Sequence, residues 1–548
     1  MPDGGKLIVA CLEAQETDRV FCVPGESYLT VLDALYDSSI ETIIARQEGG
    51  AAMMAEADGK ATGRPGICLV TRGPGASNAM SGVHVAQQDS TPLILIIGQV
   101  AREFQGRDAF QEMDIEATFS AVAKLTVEIT DASQIPKVMT QAFNTALNGR
   151  PGPVVISAPE DILAEQTNAQ PCTLVVPEEI DPNKKTIDEF NALINSAEAP
   201  VIIVGGSGWN SNSIDKVAQY ALSNGIPVTA SFRRQHLFDN LGAAYAGDLG
   251  IGANPELIEL IRESDLIILL GGRLSEIPSQ NFTLLEIPHP KQRLVHVHPG
   301  LEELGRIYKP TLAINASPIA FLNSISSANK TPQLSALHKA HEVYLRWSSP
   351  MPSSNHQLNM SEAIHKLNET LPDDAIITNG AGNYASWVHR FYRFRTFQSQ
   401  FAPNSGSMGY GLPAAIAAKL RFPERKVICF AGDGCLQMTI QELGTAKQYG
   451  VNIIVIVVDN GMYGTIRMHQ ELNYPYRVSS TTLTNPDFAL IAEAYGFFTG
   501  TAETNDQFHS LFQSALSADR PGLIHLKTNP EDITPTMTIN AIRDRHSD

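Results

Sequence analysis

The sequence predicts an α/β protein of three doubly wound parallel-sheet domains, and three observations carry that prediction. Apolar runs of strand length alternate with amphipathic segments along the whole chain. Its 548 residues are too many for one core and suit about three domains at roughly 150–200 residues each. Two polar stretches that carry proline interrupt the alternation and read as linkers.

Taken in order, a first domain of residues 1–170 has strands expected at 20–23, 42–45, 67–71, 93–97 and 154–157. A helical stretch separates successive runs, so the strands run parallel with helices on both faces. A linker is expected at 165–185. The central domain, 186–330, repeats the pattern at 201–204, 227–230, 266–270 and 294–297. Its turn Gly205-Gly206-Ser207-Gly208 follows a strand; it reads as a tight strand-to-helix turn, with a nucleotide-phosphate turn as the alternative, although the full GxGxxG spacing is missing. A second linker is expected at 326–332 and again at 350–355. The last domain, 356–548, carries strands expected at 375–378, 427–430, 451–458 and 523–526.

Composition narrows the function classes. The 40 Lys and Arg against 58 Asp and Glu leave a net charge of −18, with no basic block to track a phosphate backbone, so nucleic acid is not an expected partner. The longest apolar runs, 93–97, 266–270 and 453–458, are far shorter than the roughly 20 residues of a membrane span. The start, Met1-Pro-Asp-Gly-Gly, has no basic region followed by a hydrophobic one, so no secretory signal is expected. Cys11, Cys22, Cys68, Cys172, Cys429 and Cys435 form no CxxC pair, which fits a reducing cytoplasm.

The most chemical stretch lies between Gly432 and Asn460. An apolar run ends at Gly432-Asp433-Gly434, an amphipathic helix is expected over 437–449, and a second strand ends at Asp459-Asn460-Gly461. A strand–helix–strand unit crosses over right-handedly, so Asp433 and Asn460 emerge at the carboxyl ends of strands that can be neighbours. A carboxylate oxygen, an amide oxygen, a backbone carbonyl near Met462 and phosphate oxygens would complete an octahedral Mg²⁺ shell. The glycines let the backbone come close to a phosphate.

This pattern resembles that of thiamine-diphosphate enzymes, and the resemblance runs from Phe21-Cys22-Val23-Pro24-Gly25 to the strand at 523–526. It implies a pyrimidine-binding first domain, a central domain and a diphosphate-binding last domain. Arg46-Gln47-Glu48-Gly49-Gly50 resembles the segment whose glutamate faces N1′ of the aminopyrimidine, where a carboxylic acid favours the tautomer whose imine takes the C2 proton. Thr71-Arg72-Gly73-Pro74-Gly75-Ala76-Ser77-Asn78 is similar to the TSGPGATN loop of acetolactate synthases, with Arg72 in place of serine. Asp89-Ser90-Thr91-Pro92, Gly98-Gln99-Val100 and Asp108-Ala109-Phe110-Gln111-Glu112 resemble that family's DS-x-P, TGQV and DAFQE segments.

The resemblance implies catalytic roles for Glu48, Gln111 and Gly25. It implies cofactor contacts for Glu48, Asn78, Asn383, Tyr384, Gly406, Met408, Asp433, Gly434, Cys435, Asn460, Met462, Tyr463, Gly464 and Thr465. Of these, Asp433, Asn460 and Met462 would hold the metal. Asn379-Gly380-Ala381-Gly382-Asn383-Tyr384 resembles the GxGQH phosphate loop, and Met408 in Ser405-Gly406-Ser407-Met408-Gly409-Tyr410 stands where the family has the residue beneath the cofactor. Phe110 and His469 are candidate substrate contacts.

Several positions depart from the biosynthetic enzyme. His469 stands where acetolactate synthases carry a tryptophan, Leu274-Ser275-Glu276-Ile277 where they have FDDR, and Val295-His296-Val297-His298-Pro299 where they have the IDIDP segment that touches FAD. FAD is therefore admitted by the resemblance but not favoured, and brisk acetolactate formation is not expected. The paired histidines of pyruvate decarboxylase are absent as well. The expected function is thiamine-diphosphate-dependent, Mg²⁺-assisted cleavage or ligation of a C–C bond next to the carbonyl of a 2-keto acid, with an aldehyde or acyl acceptor, in a cytoplasmic homodimer or homotetramer with interface sites. The alternatives are a benzoylformate-decarboxylase-like or 2-hydroxyacyl-CoA-lyase-like enzyme, a nucleotide-binding protein built on the central domain, or a non-catalytic, cofactor-binding regulatory relative.

Overall fold

The apolar runs become buried parallel strands because helices cover both faces and leave every side chain of a central strand in the interior. The structure is a computed structural model that describes residues 1–326, 332, 334–351 and 358–545. The second expected linker lies largely outside the described residues.

Three six-stranded parallel sheets form. The first comprises β1 (Arg19–Cys22), β2 (Glu41–Ile44), β3 (Gly66–Val70), β4 (Leu93–Gln99), β5 (Leu125–Glu128) and β6 (Pro153–Pro159), in the order β2-β1-β3-β4-β6-β5. The second comprises β7 (Pro200–Val204), β8 (Val228–Ser231), β9 (Tyr245–Leu249), β10 (Leu266–Leu270), β11 (Arg293–His298) and β12 (Leu312–Asn315), in the order β12-β11-β10-β7-β8-β9. The third comprises β13 (Ile376–Asn379), β14 (Gln400–Phe401), β15 (Val427–Gly432), β16 (Ile454–Asp459), β17 (Phe498–Ala502) and β18 (Gly522–Lys527), in the order β14-β13-β15-β16-β18-β17.

The described residues group into two compact units. One comprises Met1–Glu178, Pro403–Arg421 and Thr439–Tyr449, with a core that includes Leu7, Val20, Ile94, Phe143 and Ile156. The other comprises Glu179–Ala402, Phe422–Met438 and Gly450–Asp548 and holds the second and third sheets, with Phe190, Ile202, Ile268 and Phe321 in one of its cores. The first linker is irregular up to Asn183, where that residue's side chain caps the helix Lys184–Ser196.

The single helix expected over 437–449 is broken. A short helix, Asp433–Gln437, starts at the acidic residue itself, and a 3₁₀ turn at Ile440–Glu442 precedes the helix Leu443–Gln448. Thr439 sits at the break in a non-helical conformation, with its hydroxyl donating to the carbonyl of Gly409 at 2.7 Å. The following strand begins at Ile454 rather than 451. Among the described residues no helix is long and apolar enough to cross a membrane.

Candidate functional site

β15 and β16 are parallel neighbours with Gly432 opposite Val458, so the residues just beyond, Asp433 and the Asp459-Asn460-Gly461 turn, leave the sheet side by side. Asp433 is buried, with 3 % of its surface exposed. Its Oδ1 accepts the Gly434 N–H at 2.8 Å and its Oδ2 accepts the Asn485 side-chain amide at 2.7 Å. Burial raises its carboxyl above the usual range, against the pull of these two donors. Asn460 Oδ1 accepts the Met462 N–H at 3.3 Å. The Met462 carbonyl accepts no hydrogen bond among the described residues.

A dehydrated carboxylate, an amide oxygen and an unbonded carbonyl make a hard-cation donor set with room for phosphate oxygens. Among the described residues no group of three or more His, Cys, Asp and Glu could hold a metal ion. A cation here must therefore take oxygens from amide, carbonyl and ligand. The residues present fit Mg²⁺ bound together with a diphosphate.

Tight turns shape the cradle. A Cβ at Gly434 would lie 2.6 Å from the Tyr463 ring, and Cβ atoms at Gly382 and Gly432 would lie 2.8 and 3.0 Å from the Tyr384 ring. Tyr384 opens the helix Tyr384–Phe391, and its buried hydroxyl accepts the Gly380 N–H at 3.0 Å and meets Cys435 Sγ at 3.4 Å. Burial pushes its phenol well above the ordinary range. Asn383 Oδ1 accepts the Thr465 hydroxyl at 2.9 Å, and its amide donates to the Ile533 carbonyl at 3.0 Å. A Cβ at Gly464 would stand 3.2 Å from Asn460 Nδ2. His469 lies on the exposed side of the helix Gly464–Asn473.

In the other unit, Glu48 is the first residue of the helix Glu48–Thr62, capped by the Gln47 side chain. It is half-buried, and its Oε2 accepts the Asn78 amide at 2.9 Å. The helix is nearly all small residues because it lies hard against the helix Pro74–Asp89: a Cβ at Gly82 would come 2.4 Å from that of Ala52. Its start is held by the fully buried Glu442, whose two oxygens each accept the Arg46 N–H at 3.2 Å. A Cβ at Gly25 would fall 2.5 Å from Thr71 Cβ.

Gln111 has a φ of +63°, and the Gly73 Cβ position lies 2.6 Å from its carbonyl oxygen. Beside it Phe110 is 74 % exposed. The buried Arg72 donates Nε to the Phe110 carbonyl at 3.2 Å and reaches Glu160 at 3.3 Å and Glu26 at 3.4 Å. Met408 is half-buried in a turn whose flanking Gly406 and Gly409 have φ of +68° and +81°.

The central-domain turn has a packing explanation. A Cβ on Gly206 would lie 1.8 Å from the Gly271 carbonyl oxygen, so two strand-end turns press together there. In β11, His296 and His298 are buried; His296 bonds the Gly272 carbonyl at 3.0 Å, and burial first, then His298, lowers its value to about 4.

Glu442 and Asn485 were not among the expected residues. Asn485 precedes Pro486-Asp487 and looks in the sequence like the lead-in to a capped helix, which Asp487 does begin.

Family models describing the thiamine pyrophosphate enzyme N-terminal TPP binding domain, central domain and C-terminal TPP binding domain match residues 2–118, 187–325 and 380–526. The chain is 29% identical over 543 residues to acetolactate synthase isozyme 2 large subunit of Escherichia coli (strain K12), covering 98% of this chain and 97% of that one. It is 31% identical over 535 residues to the isozyme 1 large subunit of the same organism, covering 96% and 94%. It is 32% identical over 506 residues to acetolactate synthase large subunit of Lactococcus lactis subsp. lactis (strain IL1403), covering 90% and 87%.

Proposed function

The chain belongs to the thiamine pyrophosphate enzyme family, and from that premise we propose that it is an acetolactate-synthase-like carboligase acting on a 2-keto acid. The observation that carries the reading is the buried Asp433 carboxylate at a strand end next to that of Asn460, with the unbonded Met462 carbonyl close in sequence. Asp433, Asn460 and Met462 would hold Mg²⁺, which fixes the diphosphate. Gly434, Cys435, Asn383, Tyr384, Tyr463, Gly464 and Thr465 would line the diphosphate, through backbone groups and the Thr465 hydroxyl.

When bound, thiamine diphosphate supplies a nucleophilic carbon beside a cationic ring that accepts the electron pair released when the bond next to the carbonyl breaks. The protein's own share is positional and protonic. Glu48 would hold a proton at N1′ of the pyrimidine, with Asn78 fixing which carboxylate oxygen is free to do so. Gly406 and Met408 would shape the seat of the ring, and Gly25 and Gln111 would face the reacting carbon. Phe110 and His469 would border the acceptor. With His469, Ile277, His296 and His298 at their positions, the acceptor side suits a larger or more polar aldehyde or acyl group, and FAD is not required.

The same reading gives a cytoplasmic homodimer or homotetramer with interface sites, and domains of 1–170, 186–330 and 356–548. The test is calorimetric titration of apo protein with thiamine diphosphate, with and without Mg²⁺, followed by a CO₂-release screen of 2-keto acids. Binding that needs Mg²⁺ and turnover of at least one keto acid are expected. Absence of cofactor binding, or binding indifferent to Mg²⁺ and EDTA, overturns the reading.

A further inference from the structure

The two strand ends that carry the proposed metal ligands are joined by one side chain. Asn485 Nδ2 donates to Asp433 Oδ2 at 2.7 Å and to Asp459 Oδ1 at 2.8 Å. Its Oδ1 accepts the Gln437 amide at 3.0 Å, which fixes the nitrogen toward the carboxylates. Asp459 is held in turn: Oδ1 also accepts the Gly461 N–H at 2.9 Å, and Oδ2 meets His525 Nε2 at 2.8 Å and the Lys527 ammonium at 2.6 Å. The residues before Asn485 lie along the cradle's other edge. The N–H of Leu483 donates to the Gly461 carbonyl at 2.8 Å, Thr482 bridges to Met462, and the Tyr463 N–H donates to the Thr481 carbonyl at 2.8 Å.

We propose that Asn485 is a positioning residue for the cation: its single amide sets the spacing between Asp433 and the Asp459-Asn460 turn, so that carboxylate, amide and Met462 carbonyl are preorganised before metal and diphosphate arrive. The inference rests on the Mg²⁺ reading above. Two carboxylates leaving neighbouring strands repel each other when both are ionised; Lys527 and His525 offset that on the far oxygen of Asp459, and the Asn485 amide is the donor that bonds both carboxylates. With Asp433 Oδ1 on Gly434 and Oδ2 on Asn485, each oxygen keeps a lone pair for a cation, and the two donors together fix the orientation of the carboxylate. Partners that orient a metal ligand typically change affinity by about 10- to 100-fold when removed.

The test is Mn²⁺ binding, followed by electron paramagnetic resonance in the presence of saturating thiamine diphosphate, on wild type, Asn485→Leu and Gln437→Leu. Asn485→Leu is expected to raise the Mn²⁺ dissociation constant at least about tenfold. Gln437→Leu, which only frees the amide to turn, is expected to raise it a few-fold. Fold integrity is read separately by circular dichroism of the apo proteins; should Asn485→Leu not fold, Gln437→Leu decides. Variants that bind Mn²⁺ within twofold of wild type overturn the positioning role while leaving the cofactor reading intact. A wild type that binds no Mn²⁺ with thiamine diphosphate overturns the reading on which the inference rests.

Discussion

Asn78 donates its side-chain amide to Glu48 Oε2 at 2.9 Å, so the two helices that open with Glu48 and with Pro74 are joined at the carboxylate assigned to the pyrimidine. A helix-starting carboxylate alone is worth only a few tenths of a kcal/mol to about 1 kcal/mol. Glu48→Gln should therefore leave thermal stability nearly unchanged and cut turnover ~10²-fold or more, the scale of a proton-transfer group. Proton–deuterium exchange at C2 of bound cofactor, followed by NMR, checks it; exchange at the wild-type rate would refute the role.

Asp433→Ala should abolish Mg²⁺-dependent cofactor binding. Loss of the carboxylate removes the one charged group of the proposed ligand set and leaves the Gly434 N–H and the Asn485 amide without that acceptor. Calorimetric titration at fixed Mg²⁺ reads this directly, and wild-type affinity in the variant would remove Asp433 from the metal site.

Tyr384→Phe should cost about 1–3 kcal/mol of stability, because the Gly380 N–H is left without its hydroxyl acceptor in a buried turn. The ring that packs against Gly382 and Gly432 stays, so cofactor affinity should fall only modestly. Urea denaturation of apo protein measures the first effect and calorimetric titration the second.

Glu471 anchors the C-terminal helix Ile539–Asp544 through Arg543, at 2.7 Å. Arg543 first, then the Tyr476 N–H and Arg467, holds its carboxyl down to about 2 from an ordinary 4.5, against the effect of burial. A depressed carboxyl contributes stability above its unfolded value, and that stability fades as pH falls from about 4.5 toward 2. Glu471→Gln should thus be less stable than wild type at pH 7, with the gap closing below pH ~3. Thermal midpoints across that range, with proteolysis of the C-terminal segment, check it.

Purified protein should show no flavin absorbance and should form acetolactate from pyruvate slowly. His296 and His298, which stand in place of the two acids of the segment whose resemblance implied a flavin contact, are buried in β11. A yellow preparation, or fast acetolactate formation from pyruvate alone, would show that these replacements leave the reaction unaltered.

Of the eighteen strands in the three parallel sheets, thirteen were legible as apolar runs, and the other five, β5, β9, β12, β14 and β17, all lie at sheet edges; the two-stranded antiparallel pair Asp532–Thr534 and Met537–Thr538 was not expected either. An edge strand has one neighbour and tolerates polar residues: every residue of β5 is only half-buried. The family motifs were legible because glycines at strand ends must stand where Cβ atoms would collide, as at Gly432 and Gly434. Asn485 and Glu442 were not, since a lone amide or acid acquires its role only from groups far away in the chain, Arg46 in one case and Asp433 in the other. The helix break at Thr439 was hidden for the same reason: its hydroxyl answers to Gly409.

The arginine at position 72 makes the Gln111 loop poor material for recombination. Its guanidinium ties the Phe110 carbonyl to Glu26 and Glu160, three stretches remote in sequence. A chimera that imports this loop into a relative with serine at that position would leave Gln111 unsupported, and one that imports arginine without both acids would strand a buried cation. Anyone moving this loop between enzymes has to carry positions 26, 72, 110 and 160 together, as one cassette.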